Sequence, residues 1–259
     1  MPTLDPRHTA ERIVTIFRAR QPIDALPEEL VPGTLDAAYQ VRDAYEVIEA
    51  PRRGPVVGYK IGLTTPIMQQ LCGVDEPCYG AMFAREIRQS PAEVRVDDYC
   101  RVGIETEIAM RLGEDLPDGA GGRIADAVES CMAAIEVLED LRHDYKRLSA
   151  RSMVAGNVWN AGCVLGPPVG EWRKLDLPTV TYRLTINGKE IGVGKGADVM
   201  GNPLNALAWL ADKLAADGRP LRRGMVVMTG SVVPIQFPQP GDRAVVEVSG
   251  LGQAEFIAG

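Results

Sequence analysis

Histidine is nearly missing from this chain: His8 and His143 are the only two in 259 residues. A Ser-His-Asp triad or a histidine-rich metal centre has almost no material to draw on. A metal site here has to be built from carboxylates, and oxygen-rich sites favour Mg²⁺, Mn²⁺ or Ca²⁺. Cysteine is little better supplied. Cys72, Cys78, Cys100, Cys131 and Cys163 are odd in number and none stands at CxxC spacing, which argues against a disulfide framework or a zinc site. Positive charge is also short, with 28 Lys and Arg against 35 Asp and Glu. The net charge of −7 speaks against a sequence-independent hold on nucleic acid. No apolar run approaches the roughly 20 residues that cross a bilayer. The opening "MPTLDPRHTAERIVTIF" has acidic residues and no signal-peptide core. A cytoplasmic protein without membrane contact is expected.

What is present is ordinary for a globular chain: 46% apolar and 24% charged residues, enough for one large domain or two small ones. Residues 7–20 and 34–49 show helical spacing, the second with Thr34 as N-cap and Pro51 just past its expected end. "PVVGYKIGLTT" reads as a short strand. "TPIMQQLCG" reads as a short helix between a capping Thr65 with Pro66 and a stop at Gly73. Residues 101–112 alternate, with Val102, Ile104, Thr106, Ile108, Met110 and Leu112 on one face and Glu105, Glu107, Ala109 and Arg111 on the other. "LPDGAGG" is a loop. Residues 124–148 carry apolar positions at helical spacing, although "AAIEVL" within them fits a buried strand equally well. "TYRLTINGKEIGVG" is a hairpin turning at Asn187-Gly188. "NPLNALAWLADKLAADG" is a helix from Asn202 and Pro203 to Gly218. "GMVVMTG" and "DRAVVEVSGLGQAEFIA" are closing strands. With no internal repeat or linker, one strand-rich α+β domain over 1–259 is the simplest account, helical over 1–55 and β-rich over 56–259.

Glu105 and Glu107 stand two apart on one strand, so both carboxylates leave the same face. They repel at neutral pH unless a cation or a proton lies between them. A strand with its polar face in water would show the same spacing. Glu136 is the best candidate for a third carboxylate, because apolar residues flank it on both sides. The competing reading makes it a polar position on a helix that also carries Glu129 and Asp140. Lys60 interrupts an apolar strand. It is either a stem lying on apolar surface or a cation that pairs with a substrate carboxylate or moves protons. "MTGSVVP" offers backbone N–H groups and a hydroxyl at a glycine turn, able to cradle a carboxylate or an enolate oxygen. "GVGKGA" fails the phosphate-loop pattern and lies on a hairpin arm.

The stretches "YKIGLTT", "GVDEPCYG", "GIETEIA", "AAIEVLED", "NAGCVLG", "GNPLNALAWLADKLA", "MTGS" and "PGDRAVVEVSGLG" follow one another from about residue 57 to the C-terminus. In that order they resemble the 2-oxopent-4-enoate hydratase / 4-oxalocrotonate decarboxylase family of the fumarylacetoacetate hydrolase superfamily. The resemblance implies a mixed β roll or barrel with flanking helices. It implies Mg²⁺ or Mn²⁺ held by Glu105, Glu107 and Glu136, and Lys60 in the active site. It also implies substrate contacts at Asn157, Thr229, Gly230 and Ser231. Two positions depart from the family's pattern. Cys78 stands where hydratases usually have Asp, and Trp159 replaces a small residue, which should reshape the pocket.

A substrate whose 2-oxo or 2-enol oxygen lies beside a carboxylate can chelate one hard cation through both groups. The activity the resemblance implies is hydration of a 2-hydroxy-2,4-dienoate to a 4-hydroxy-2-oxo acid, as in the breakdown of aromatic compounds. Decarboxylation of a 4-oxalocrotonate-type acid, hydrolysis of an acylpyruvate, and a non-catalytic partner role are the alternatives. "NAGCVLG" and "TGS" lean towards relatives that act on longer, dicarboxylic substrates. A homo-oligomer is implied, able to form a complex with a related pathway enzyme.

Overall fold

The computed structural model describes residues 4–23 and 25–259. Two helices lead, α1 (Pro6–Ala19) and α2 (Leu35–Arg53), capped by the side chains of Asp5 and Thr34. Helix α2 runs through Pro51 instead of stopping before it. In the last turn the ring forfeits only one intrahelical bond, and the Gly54 N–H still closes on the Ala50 carbonyl. There follow β1 (Val56–Gly62), α3 (Pro66–Cys72), β2 (Cys78–Phe83), β3 (Ile87–Gln89), β4 (Ala92–Val94) and β5 (Val102–Leu112). Next come a single turn α4 (Ile124–Ala127), β6 (Val128–Glu139), α5 (Ala150–Ala155), β7 (Asn160–Leu165), β8 (Thr181–Ile186) and β9 (Lys189–Lys195). The chain ends with α6 (Pro203–Ala216), β10 (Val226–Met228), β11 (Arg243–Val248) and β12 (Gly252–Ala258).

The punctuation expected from the sequence is in place. Thr65 caps α3 and Gly73 ends it in the left-handed region. Asn202 caps α6, and Asn187-Gly188 turn the β8–β9 hairpin with φ of 53° and 76°. The helical spacing over 124–148 is overturned beyond the single turn of α4. Residues 128–139 form β6, buried on both faces, and a strand apolar on both sides mimics a buried helix in sequence.

Two sheets carry the fold. One has seven strands in the order β2-β1-β10-β5-β6-β7-β3, and the other has five in the order β4-β12-β11-β8-β9. The pair β5–β6 lies at the centre of the first, antiparallel, with Glu105 opposite Glu136 and Glu107 opposite Ala134. One face of this pair, including Ile104, Ile108, Ile135 and Val137, joins the main core with Tyr182, Leu184, Val246 and Phe256 of the second sheet. The other face carries Ala109, Met132 and Ala134 in a smaller apolar cluster with Met82, Cys163 and Met228. Beyond that cluster, on the same face, stand the glutamates. Strand β5 is therefore buried on both sides, and the half-wet strand that its alternation allowed is not what forms.

Strand β10 is short, and this shapes the site. It separates β1 from β5 and ends at Met228, which lies opposite Lys60 on one side and Ala109 on the other. Past its end the sheet has a gap. Neighbouring strands lie about 4.8 Å apart, so a flat sheet would keep β1 and β6 about 14 Å apart. The sheet must curl to bring Lys60 Nζ to 3.0 Å from Glu136 Oε1. The concave face so formed holds the charges. Among the described residues no helix is long and apolar enough to cross a membrane.

Candidate active site

Glu105, Glu107 and Glu136 converge because of register. An antiparallel ladder puts cross-strand partners on the same face, and the two-residue repeat adds Glu107 beside Glu105. One carboxylate oxygen from each lies within 4.8 Å of the others. Glu107 and Glu136 are fully buried, and Glu105 looks into a cavity. Three fixed groups hold the arrangement. The Gly230 N–H donates to Glu107 Oε2 at 2.8 Å, while Asn160 Nδ2 donates to Glu136 Oε1 at 2.9 Å, the oxygen that also meets Lys60. Gly230 has φ of +118°, and a Cβ there would lie 2.6 Å from the Thr64 side chain, so only glycine fits.

One ammonium faces three carboxylates. Burial raises the pKa of Glu105 to about 7, with Glu136 adding to the effect and Lys60 opposing it. Burial and the charges of Glu136 and Glu105 push Glu107 well above the usual carboxylate range. Burial alone would strip the proton from Lys60, but attraction to the three carboxylates outweighs it and its pKa rises. Glu107 Oε1 and Glu136 Oε2 are buried with no hydrogen-bond partner. Orphaned anionic oxygens are costly in a protein interior, and a divalent cation would satisfy them and cancel the repulsion. The donors are all hard oxygens, and with two histidines in the chain no softer set competes. The residues present fit a hard divalent ion.

Other residues singled out in the sequence are placed differently. Ser231 lines the cavity, its hydroxyl donating to the Val233 carbonyl and accepting from the Thr106 N–H. Thr229 is fully buried and donates to the Ile108 carbonyl. Asn157 is also buried, its carboxamide bonded to both backbone groups of Ala81, and it does not line the cavity. Gly230 reaches the site through Glu107. Cys78 opens β2 opposite Gly62, where burial raises its thiol to about 12 against the pull of Lys60, so it stays protonated.

Asn160 was not anticipated, and neither was the backbone that aims it. Asn157, Val158 and Trp159 have φ of 55°, 50° and 58°, three consecutive left-handed residues of which one is β-branched. Such residues cost on the order of 1–3 kcal/mol each and persist only where their surroundings hold them. The Asn157 bonds to Ala81 are one restraint. Gly80 is another, since a Cβ there would sit 2.5 Å from the Asn157 carbonyl oxygen. Trp159 stacks on His143 with centroids 4.6 Å apart and planes 8° apart, and it meets Tyr145 edge-on. Buried Asp140 anchors that wall, accepting from the Tyr145 hydroxyl at 3.2 Å, from the His143 N–H and from Arg101. The strained turn therefore sets the indole into the cavity wall and points the next side chain at Glu136.

The cavity has a volume of about 450 Å³, with Lys60 and Glu105 at its charged end. A smaller one of about 270 Å³ lies behind Trp159 and Asn160. Its charged walls are already paired, Arg18 with Glu49 and Arg53 with Glu86, and none of the three central glutamates reaches it.

Comparison with known proteins agrees with this architecture. The sequence profile described as fumarylacetoacetate (FAA) hydrolase C-terminal matches residues 76–256. A 2-keto-4-pentenoate hydratase of Paraburkholderia phymatum is 32% identical over 245 residues, covering 94% of this chain and 93% of its own. The TodF product hydratase of Pseudomonas putida is 35% identical over 223 residues, covering 84% and 82%. Among solved structures, 4-oxalocrotonate decarboxylase from Pseudomonas putida G7, complexed with magnesium and adipate, superposes with a TM-score of 0.89 at 26% identity, covering 98% of this chain and 97% of that one. With a profile spanning most of its length and hydratase relatives above 30% identity, the chain belongs to the fumarylacetoacetate hydrolase superfamily, in the family of 2-keto-4-pentenoate hydratases and 4-oxalocrotonate decarboxylases.

Proposed function

We propose that this protein is a lyase that adds water to a 2-hydroxy-2,4-dienoate, giving a 4-hydroxy-2-oxo acid, with Mg²⁺ or Mn²⁺ as its cation. The observation that carries the reading is the convergence of Glu105, Glu107 and Glu136 with two orphaned oxygens beside Lys60, at the charged end of an otherwise apolar cavity. The three glutamates would hold the ion. When bound, it supplies Lewis-acid stabilisation of the substrate's 2-oxygen as enol and ketone interconvert. Lys60, with its raised pKa, serves as a charge and hydrogen-bond donor towards the substrate carboxylate rather than as a free base. Asn160 and the Gly230 N–H keep two carboxylates from turning away. The apolar walls keep bulk water from the dienol, which strengthens every charge interaction inside. A proton added at the far end of the diene, with the proton of the 2-hydroxyl released, gives the unsaturated ketone. Water then adds across its double bond, hydroxyl at C4 and proton at C3.

The likeness to 4-oxalocrotonate decarboxylase favours decarboxylation as the second reading. A panel of 2-oxo and 2-hydroxydienoic acids, with and without Mg²⁺, tests both when dienol absorbance and released CO₂ are followed together. Loss of dienol without CO₂ is expected, and CO₂ release without hydration would replace the hydratase by the decarboxylase. A non-catalytic partner has no need of such a centre. A cytoplasmic homo-oligomer fits the five free thiols and the exposed Ile191 and Val193 on edge strand β9. Light scattering of the purified protein reads the mass directly.

A further inference from the structure

The two charged residues of the cavity stand together. Lys60, Glu105 and Ser231 mark the end next to the carboxylate centre. The rest of the lining is mostly apolar, with Leu138, Met153 and Trp159, Met68 and Leu71 of α3 and the turn 232–235, beside Thr64 and Thr65 at the start of α3. Tyr145 adds a ring, and its hydroxyl is already given to Asp140. Lys60 is the only cationic residue among those lining the cavity, and it is held by Glu136. A second carboxylate at the far end of a substrate would meet no counter-charge among the lining residues. The space also exceeds what a five-carbon dienoate needs. Such an acid has eight heavy atoms, and at a generous share of about 30 Å³ per atom it fills about 240 Å³, roughly half of the cavity.

We infer that the substrate carries an apolar tail beyond the diene, an alkyl chain or an aryl ring, which lies against Trp159, Met153 and the exposed apolar side of α3, and that dicarboxylic substrates are disfavoured. The inference rests on the reading of this cavity as the site of a 2-oxo acid hydratase. It runs against the dicarboxylic lean of "NAGCVLG" and "TGS". It also sets this chain apart from the structurally similar decarboxylase, which was solved with the dicarboxylate adipate. Trp159 is the specificity-determining residue. Its indole is fixed from behind by His143 and Tyr145, and a rigid aromatic face binds an apolar tail at low entropic cost. Leu71 sits at the mouth, 54% exposed, and Met68 beside it. Exposed apolar side chains on a short helix at a cavity rim gain a contact when a tail arrives.

The test separates binding from turnover. Saturated 2-oxo acids cannot be hydrated, so calorimetry of the Mn²⁺-loaded protein with pyruvate, 2-oxopentanoate, 2-oxoheptanoate and 2-oxohexanedioate reads the cavity alone. Affinity should rise twofold to fourfold per added methylene, the upper figure being that for full burial, and 2-oxohexanedioate should bind at least tenfold more weakly than 2-oxoheptanoate. The Leu71→Arg variant, which changes an exposed position, should narrow or invert that last ratio by placing a cation at the far end. Trp159→Ala should flatten the chain-length series, read as the ratio of 2-oxoheptanoate to pyruvate affinity within the variant itself. Equal or tighter binding of 2-oxohexanedioate by the unaltered protein, or affinity independent of tail length, overturns the inference. Hydration assays with the matching dienoates then address the other reading. A tail preference in binding without turnover of any dienoate leaves the inference standing and overturns the hydratase.

Discussion

Replacing Lys60 by methionine keeps most of the unbranched side chain, one atom shorter, and removes its charge. In the metal-free protein this leaves three carboxylates, two of them fully buried, without the ammonium that lies 3.0 Å from Glu136. Removing one partner of a buried ion pair costs about 3–5 kcal/mol. The lower end applies, because Glu105 and Glu107 already have raised pKa values and can take up protons to relieve the repulsion. At roughly 2–4 °C per kcal/mol for a chain of about this size, the melting temperature in EDTA should fall by about 6–12 °C. A divalent cation held by the three carboxylates would perform the neutralisation that Lys60 performs without it. In saturating Mn²⁺ the same substitution should therefore cost less than half as much, and the variant should gain more from the metal than the unaltered protein does. Differential scanning calorimetry of both proteins in EDTA and in Mn²⁺ gives the four values. An equal drop in both conditions would refute a shared electrostatic centre and reduce Lys60 to a packing element. Turnover by the folded, metal-loaded variant should fall by orders of magnitude, since the charge facing the substrate is gone.

The glutamates themselves should respond in kind: Glu105→Gln, Glu107→Gln and Glu136→Gln are each expected to weaken Mn²⁺ binding by about 100-fold or more in calorimetric titration, and unchanged affinity would remove that residue from the centre. Asn160→Ala removes one of the two restraints on Glu136 Oε1 and leaves the three carboxylates intact, so a 10–100-fold loss of Mn²⁺ affinity is expected, with Asn160→Ser recovering part of it. Cys78→Asp puts a fourth carboxylate into a buried, already negative neighbourhood. A lower melting temperature in EDTA and slower hydration should follow, and faster hydration on a shared substrate would show instead that a carboxylate there assists the reaction. Asp140 is pushed up by burial, but hydrogen bonds from His143 and Arg101 prevail and its pKa is lowered. Its stabilising contribution is therefore present above its ordinary value of 3.8 and lost as pH falls through the lower folded value. Asp140→Asn should destabilise at neutral pH in thermal unfolding, with the gap to the unaltered protein closing in strong acid.

Much of the punctuation was legible because it depends on local chemistry. Thr65 with Pro66, Asn202 with Pro203, and Asn187-Gly188 each satisfy or shape a few neighbouring backbone groups, so they work in a peptide as they do here. Pro51 misled because a proline in a last helical turn costs one bond, which packing against the rest of the molecule readily offsets. The segment 128–139 misled for a different reason. Its apolar residues serve two faces at once, the main core and the inside of the curl, and a two-sided strand has no period that distinguishes it from a buried helix.

The sequence by itself determined which donors a metal site here could draw on: two histidines and no clustered thiols leave carboxylates, and Glu105-Thr106-Glu107 on an alternating strand puts two of them on one face. Only the tertiary structure brings Glu136, singled out in the sequence by its apolar flanks and by the family resemblance, to the other two, through its register opposite Glu105. It also decided the parts played by Asn160, Trp159 and Asn157, which rest on three consecutive left-handed residues that no local preference would select. Ligand type is a property of composition, which a sequence displays. Which face is wet and which side chains meet depend on how a short β10 lets the sheet curl, and that is settled by contacts between residues far apart in the chain.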